Sequence, residues 1–232
     1  MNIFHLANSY ATCAALYKIE HRNKIILEIT QCAFSAARML ADNHEKYGKI
    51  FKLADIKDIV GDMYKPAYIN HPCVQYLLNA ERGAETHERF MHYTTHVNAL
   101  SVFNAEHKCV SLINALNDLV NKGVNVPVRC EVPVPLALNN EIRYAYNIIG
   151  VKELAAYDAV KLYDTYYFHF KSHLTSTHVW NADLKARLKS NTLQHLVPAY
   201  IENGFYSPAL KKVFFSKDKM NSAIIEYISK ID

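Results

Sequence analysis

Between residues 17 and 43 the chain reads YKIEHRNKIILEITQCAFSAARMLADN. On a helix, at about 100° per residue, His21, Lys24, Glu28, Gln31, Ser35 and Arg38 fall in one narrow arc. Almost every other position is apolar or small: Ile25, Ile26, Leu27, Ile29, Cys32, Ala33, Phe34, Ala36, Ala37, Met39 and Leu40. A surface helix carries one apolar stripe on a polar cylinder. Here the pattern is inverted, which predicts a buried helix whose polar stripe meets other polar groups or a ligand.

The remaining periodicity is also helical. A first helix is predicted over Tyr10–Ile19, capped by Asn8 or Ser9, after a short apolar run at Ile3–Leu6 that suits a small strand. Ala54–Met63 reads as a short helix with Asp55 and Asp58 near its start. Pro66 and Pro72 bracket an extended segment, and Pro72 suits the first turn of the next helix, which puts Asn70 or His71 at its cap. That position displays Asn70 and His71 where free N–H groups attract anions, although a plain capping role explains Asn70 equally well. Ala84–Glu106 and Lys108–Lys122 are further helices, the second ended by Gly123. Prolines at 127, 133 and 135 make residues 124–138 an extended connector between two lobes, 1–123 and 139–232. Glu153–Lys171 and Asn221–Ile231 close the helical series. The sum is an all-α domain of seven to nine helices.

Composition narrows the function without naming it. Half of the 232 residues are hydrophobic and the formal net charge is +4, so a globular, mildly basic chain is expected, compatible with a nucleic-acid partner. There is no GxGxxG and no Walker A, which counts against dinucleotide and P-loop enzymes. Residues 1–8 lack the charged and apolar regions of a signal peptide, and no run of eighteen apolar residues occurs, so a cytoplasmic chain with no membrane span is expected. Five widely spaced cysteines and no CxxC point to reduced thiols. Glu88, His92 and His96 stand at i, i+4 and i+8, but nothing marks a third protein ligand of a usual zinc set. With twelve histidines chance pairs are common, so a hydrogen-bonded or solvated face is the default and neither metal nor cofactor is expected. Tyr163, Tyr166, Tyr167 and Phe170 share one helical side, a pattern more often core than base-stacking platform. Lys185, Arg187 and Lys189 form one basic cluster and Lys211, Lys212, Lys217 and Lys219 another; either suits a phosphate backbone, and a solvated surface is the commoner reading.

The motif H-x-x-K-I-I-L-E-x-x-Q at His21–Gln31, after an MNIF start, resembles a family of small proteins from tailed phages and some bacteria. INHP at Ile69–Pro72, PVPLALNNE at 133–141, and Tyr166, Tyr167, Lys171 and Trp180 are similar to later patterns of that family. The resemblance covers most of residues 1–180, with Asp164 standing where an arginine is usual. The family is often described as pyrimidine-dimer DNA glycosylase, or endonuclease-V-like. The resemblance implies a phage-type DNA N-glycosylase for damaged or modified pyrimidines, with or without strand cleavage at the abasic site, acting in the host cytoplasm if phage-encoded. In that chemistry Glu28 activates water or stabilises the oxocarbenium-like state. Lys24, one turn earlier, supplies an amine for a Schiff base if a partly buried site favours its neutral form, and His21 transfers protons. Gln31 and Asn70 would read a base edge, Arg38 would hold a phosphate, Trp180 or the tyrosines would stack, and His71 and Lys171 complete the substrate-binding set.

Two other classes stay open. One is a nucleotide-binding or nucleotide-cleaving protein of phage–host conflict, using the same stripe. The other is a non-catalytic DNA-binding protein in which Lys24–Glu28 is an ordinary i,i+4 ion pair and the stripe a buried network. A basic channel to Glu28 would favour the glycosylase, a closed cavity the nucleotide protein, and a fully satisfied stripe without a cavity the structural role.

Overall fold

The computed structural model describes residues 10–43, 51–80, 83–122, 133–171 and 197–230. The expected strand at Ile3–Leu6, the Asn8/Ser9 cap, Gly123, Trp180 and the cluster Lys185, Arg187 and Lys189 lie outside them. The fold is all-α, mostly helical, with two short antiparallel strand pairs among the described residues. It divides into two compact units. One comprises residues 1–3, 19–137 and 152–155; the other comprises 4–18, 138–151 and 156–232.

The first unit is built on α2 (Ile19–Asp42). Ile25, Ile26, Ile29, Ala33, Phe34, Ala36, Ala37 and Leu40 are buried, as an apolar cylinder requires. α2 packs against α3 (Leu53–Val60), α4 (Pro72–Leu78), α5 (Gly83–Ser101) and α6 (Lys108–Lys122). Several ends fall short of the sequence expectation, each for a local reason. α3 stops at Val60 because Gly61 turns left-handed (φ 56°) and its N–H closes on the Lys57 carbonyl. α5 gives way after Ser101 to turns at Phe103 and Asn104. α4 and α6 each begin after a histidine whose Nδ1 accepts a backbone N–H two residues on: Cys73 to His71 (3.2 Å) and Cys109 to His107 (3.3 Å). Imidazole takes the place of the usual Ser or Asp cap.

The polar centre of this unit is Arg89. Its guanidinium meets the Glu153 carboxylate through both terminal nitrogens (2.9 and 3.1 Å), the Glu85 carboxylate (2.6 Å) and the Tyr76 carbonyl (2.5 Å), and lies 4.5 Å from the centroid of the Tyr76 ring. Burial opposes the charge, but Glu153 and Glu85 outweigh it and raise the pKa above the ordinary arginine value. This explains a correction at the start of the predicted Glu153–Lys171 helix. Glu153–Leu154 is a strand (β2), paired with Val134–Pro135 (β1) at the end of the proline-rich connector. Both sides of that pairing belong to the first unit, and the unit boundary falls at Ala137/Leu138.

In the second unit α1 (Tyr10–Leu16) and α7 (Asn140–Ala145) are short, and Asn139 caps α7 by accepting the Ile142 N–H at 2.9 Å. Arg143 ties the following loop by donating to the Leu138 carbonyl (2.9 Å) and to that of Val151. α8 (Ala156–Tyr166) runs into a π-helical turn, Tyr167–Lys171. Tyr163, Tyr166 and Tyr167 are buried, so the tyrosine row is core. A hairpin that the helical reading did not include, β3 (Phe205–Ser207) with β4 (Lys212–Phe214), buries Phe205, Ser207 and Phe214. Its Ser207 hydroxyl lies 2.9 Å from Nδ1 of the buried His169. α9 (Lys217–Ser229) ends the described chain.

Candidate functional site

The polar stripe of α2 changes character along its length. At the C-terminal end Arg38 is 5% exposed, and one of its terminal nitrogens donates to the carbonyls of Gly61 (2.5 Å) and Met63 (2.7 Å). Ser35 is fully buried; its hydroxyl both donates to the Ala67 carbonyl and accepts the Ala67 N–H, each at 2.8 Å. These bonds lay residues 61–67 along α2, and α4, which follows that segment, packs on the same helix. The expectation that Arg38 holds a phosphate meets a different use of the group: its charge serves two backbone carbonyls of the protein itself.

The segment held this way is strained. Tyr64 and Tyr68 take left-handed conformations (φ 52° and 55°) that cost side-chain-bearing residues about 1 kcal/mol each. The Tyr64 ring is fixed by stacking on Phe34 (5.4 Å between centroids), and its hydroxyl lies 3.3 Å from Cys109 Sγ. Burial, and after it the contact with Cys109, raises the Tyr64 pKa. Tyr68 and Ile69 are exposed, as is Asn70. The Ile69 carbonyl accepts from Gln75 Nε2 at 2.7 Å. His71 is half-buried, its Nδ1 committed to the cap. α4 is seven residues long, and its cap is supplied by the protein, so its N-terminus is not the anion site that the INHP spacing invites.

At the other end of the stripe Lys24 and Glu28 lie at the edge of solvent. The Lys24 ammonium lies 4.0 Å from the Glu28 carboxylate, one turn along the helix; the lysine side chain is 67% exposed and the glutamate 19%. The partly buried setting expected for Lys24 is therefore not what the helix provides. The arc reaches solvent here, as the 46% exposure of neighbouring Leu27 also shows. His21 and Gln31 are half-buried on the same stripe. Nearby, Arg22 stacks on Phe103 (3.7 Å) and Asn23 accepts from Asn104 (3.0 Å), so the loop after α5 braces the first turns of α2. Cys32, one turn past Glu28, is buried; burial first, then the neighbouring Cys73 and Glu28, push its thiol well above the ordinary value. Cys73, at the start of α4, is thus close to Cys32, where α4 packs on α2.

The structure thus unites His21, Lys24, Glu28, Gln31 and Arg38 with the INHP segment in one unit. Lys171 belongs to the second unit, half-buried at the end of the π-helical turn. Among the described residues no group of three or more His, Cys, Asp or Glu is placed to hold a metal ion. His92 turns its Nδ1 to the Tyr76 hydroxyl at 3.2 Å, and His87 its Nε2 to Asn121 at 2.8 Å. Sequence reasoning missed the role of Arg89; its one available signal was Glu85 four residues before it. It missed Ser35 and Arg38 as clamps because their partners are backbone carbonyls, which carry no side-chain signature.

The chain matches no protein-family model, no curated protein and no solved structure. No described helix is long and apolar enough to cross a membrane.

Proposed function

We propose that this chain is a phage-type enzyme acting on pyrimidine bases in DNA, a DNA N-glycosylase for damaged or modified pyrimidines, working in the cytoplasm from the open end of α2. The observation that supports it is the division of the stripe. One half is spent on holding a strained loop in place, while the other half presents an amine and a carboxylate 4.0 Å apart, paired only with each other among the described residues. Backbone strain kept in place by buried hydrogen bonds is a recurrent companion of functional sites.

In the proposed reaction Glu28 takes a proton from a water whose oxygen bonds to the sugar C1′. The glycosidic bond breaks with its electron pair passing to the base, and a protonated His21 supplies the proton that the base then needs. A base turned out of the duplex exposes C1′ to such a group. If neutral Lys24 attacks instead, the glycosidic bond breaks in the same sense, and loss of the amine proton with opening of the sugar leaves a Schiff base. Gln31 and Asn70 are the groups suited to the base edge.

Borohydride trapping is measured on duplex DNA carrying a pyrimidine dimer or an abasic site, and base release on the dimer substrate after photoreversal of the cyclobutane ring that otherwise tethers the cleaved base to its neighbour, with wild type, Lys24→Ala and Glu28→Gln. Base release that falls in Glu28→Gln supports the glycosylase. A covalent adduct that disappears in Lys24→Ala adds the lyase. No adduct and no base release with wild-type protein contradicts the reading, and leaves nucleotide binding or non-catalytic DNA binding.

A further inference from the structure

The second unit contains an open cleft of about 340 Å³, lined by residues of α7, the π-helical turn and the 200–206 segment that enters the hairpin. Aromatic rings dominate it, in two edge-to-face pairs. Tyr144 and Tyr200 are 5.0 Å apart at 74°, and Phe170 and Phe205 are 5.7 Å apart at 85°. Rings at right angles make the walls of a box, not the parallel faces of a slot for a flat base.

The outer rings are built to stand where they are. Tyr144 is 51% and Tyr206 54% exposed, a costly arrangement for large aromatics with no partner to cover them. Tyr200 is held from two sides: its N–H donates to the Ala145 carbonyl (3.0 Å) and its hydroxyl accepts from Asn203 Nδ2 (2.9 Å). The turn that presents Asn203 depends on Gly204, whose φ of 86° and approach to the Phe215 ring leave no room for a side chain; a Cβ there would meet Cε1 of Phe215 at 2.8 Å.

The charge of the lining selects the ligand. Among the described residues Glu141 is its one carboxylate, and no lysine, arginine or histidine lines it. Phosphate and other anions find no counter-charge there. A cation finds both a carboxylate and the negative faces of several rings, the combination by which proteins hold alkylated ammonium groups. We propose that this cleft binds an organic cation of the alkylammonium type, either a free small molecule or an alkylated lysine side chain of a peptide. The proposal stands independently of the glycosylase reading, which concerns the other unit.

The test uses the whole chain and follows tyrosine signals by NMR and heat by calorimetry. Choline is titrated against its neutral isostere 3,3-dimethylbutan-1-ol, and a trimethyl-lysine peptide against the same peptide with unmodified lysine. Saturable binding of choline, at least about tenfold tighter than the isostere, is expected. It should weaken about tenfold in Tyr144→Leu and again in Glu141→Gln; both residues are exposed, so the variants should fold, as circular dichroism will show. Tighter binding of the trimethyl-lysine peptide than of choline identifies a protein partner as the source of the cation. No saturation by either cation, equal affinity for the isostere, or tighter binding of thymidine than of choline overturns the proposal.

Discussion

The two ends of α2 carry the same kind of stripe and use it in opposite ways. Toward its C-terminus the polar groups are buried, and their hydrogen bonds to Gly61, Met63 and Ala67 hold a neighbouring segment to the helix. Toward its N-terminus Lys24 and Glu28 face each other across 4.0 Å at the edge of solvent. A polar residue on a buried helix needs a partner in either case. Where the fold supplies the partner, the residue is structural; where it does not, the residue is available to something from outside. Stability and activity should therefore separate along a single helix.

The largest stability effect is expected at Arg38. Arg38→Met removes two charge-assisted hydrogen bonds to the Gly61 and Met63 carbonyls and should cost about 2–3 kcal/mol in urea unfolding. A loss below about 0.5 kcal/mol, the size of an ordinary surface change, would erase the distinction between the two ends. Raising the pH tests the buried core beside the stripe. Cys32 keeps its proton in the fold above the value at which an unfolded thiol loses it, and buried Tyr93, whose hydroxyl donates to the Cys73 carbonyl at 2.6 Å, does the same at higher pH. Above about pH 8.5 for the thiol and about pH 10 for the phenol the unfolded state holds fewer protons than the native one, so stability falls as pH rises. Each group contributes up to about 1.4 kcal/mol per pH unit. Cys32→Ala should flatten the slope between these values, and Tyr93→Phe should flatten it above the second; urea midpoints across the range measure both. Ser35→Ala should cost about 1 kcal/mol, since it leaves the Ala67 N–H and carbonyl without their partner. Lys24→Ala should change stability by less than about 0.5 kcal/mol, as exposed i,i+4 pairs do.

Much of this helix is legible in the sequence alone. The inverted pattern over 17–43 predicts burial, and the observed helix, Ile19–Asp42, buries Ile25, Ile26, Ile29, Cys32, Ala33, Phe34, Ala36, Ala37 and Leu40, while Leu27 is exposed. Periodicity states which face a residue occupies; it does not state how far along the helix the core extends. That is why Lys24 and Arg38, equivalent on the arc, differ so much in exposure. The proline spacing around INHP places Asn70 or His71 at a cap, and the structure decides for His71. The left-handed turns at Tyr64 and Tyr68 are not legible, because tyrosine carries no preference for that conformation and tertiary hydrogen bonds impose it. Glu153 reads as helical and becomes a strand because Arg89, distant in sequence, claims its carboxylate. The hairpin 205–214 is not legible: its strands are three residues long, and in the first the polar Ser207 is buried while Tyr206 is exposed, against any apolar–polar alternation.

The most direct test of the division of α2 is Glu28→Gln assayed for base release from dimer-containing duplex DNA after photoreversal of the cyclobutane ring, with unfolding in urea followed on the same preparation. The account predicts a loss of base release of about a hundredfold or more, with the urea midpoint close to that of wild type. Base release at the wild-type rate, or a loss that simply follows a collapse in stability, would contradict it and make the open end of α2 as structural as the buried one.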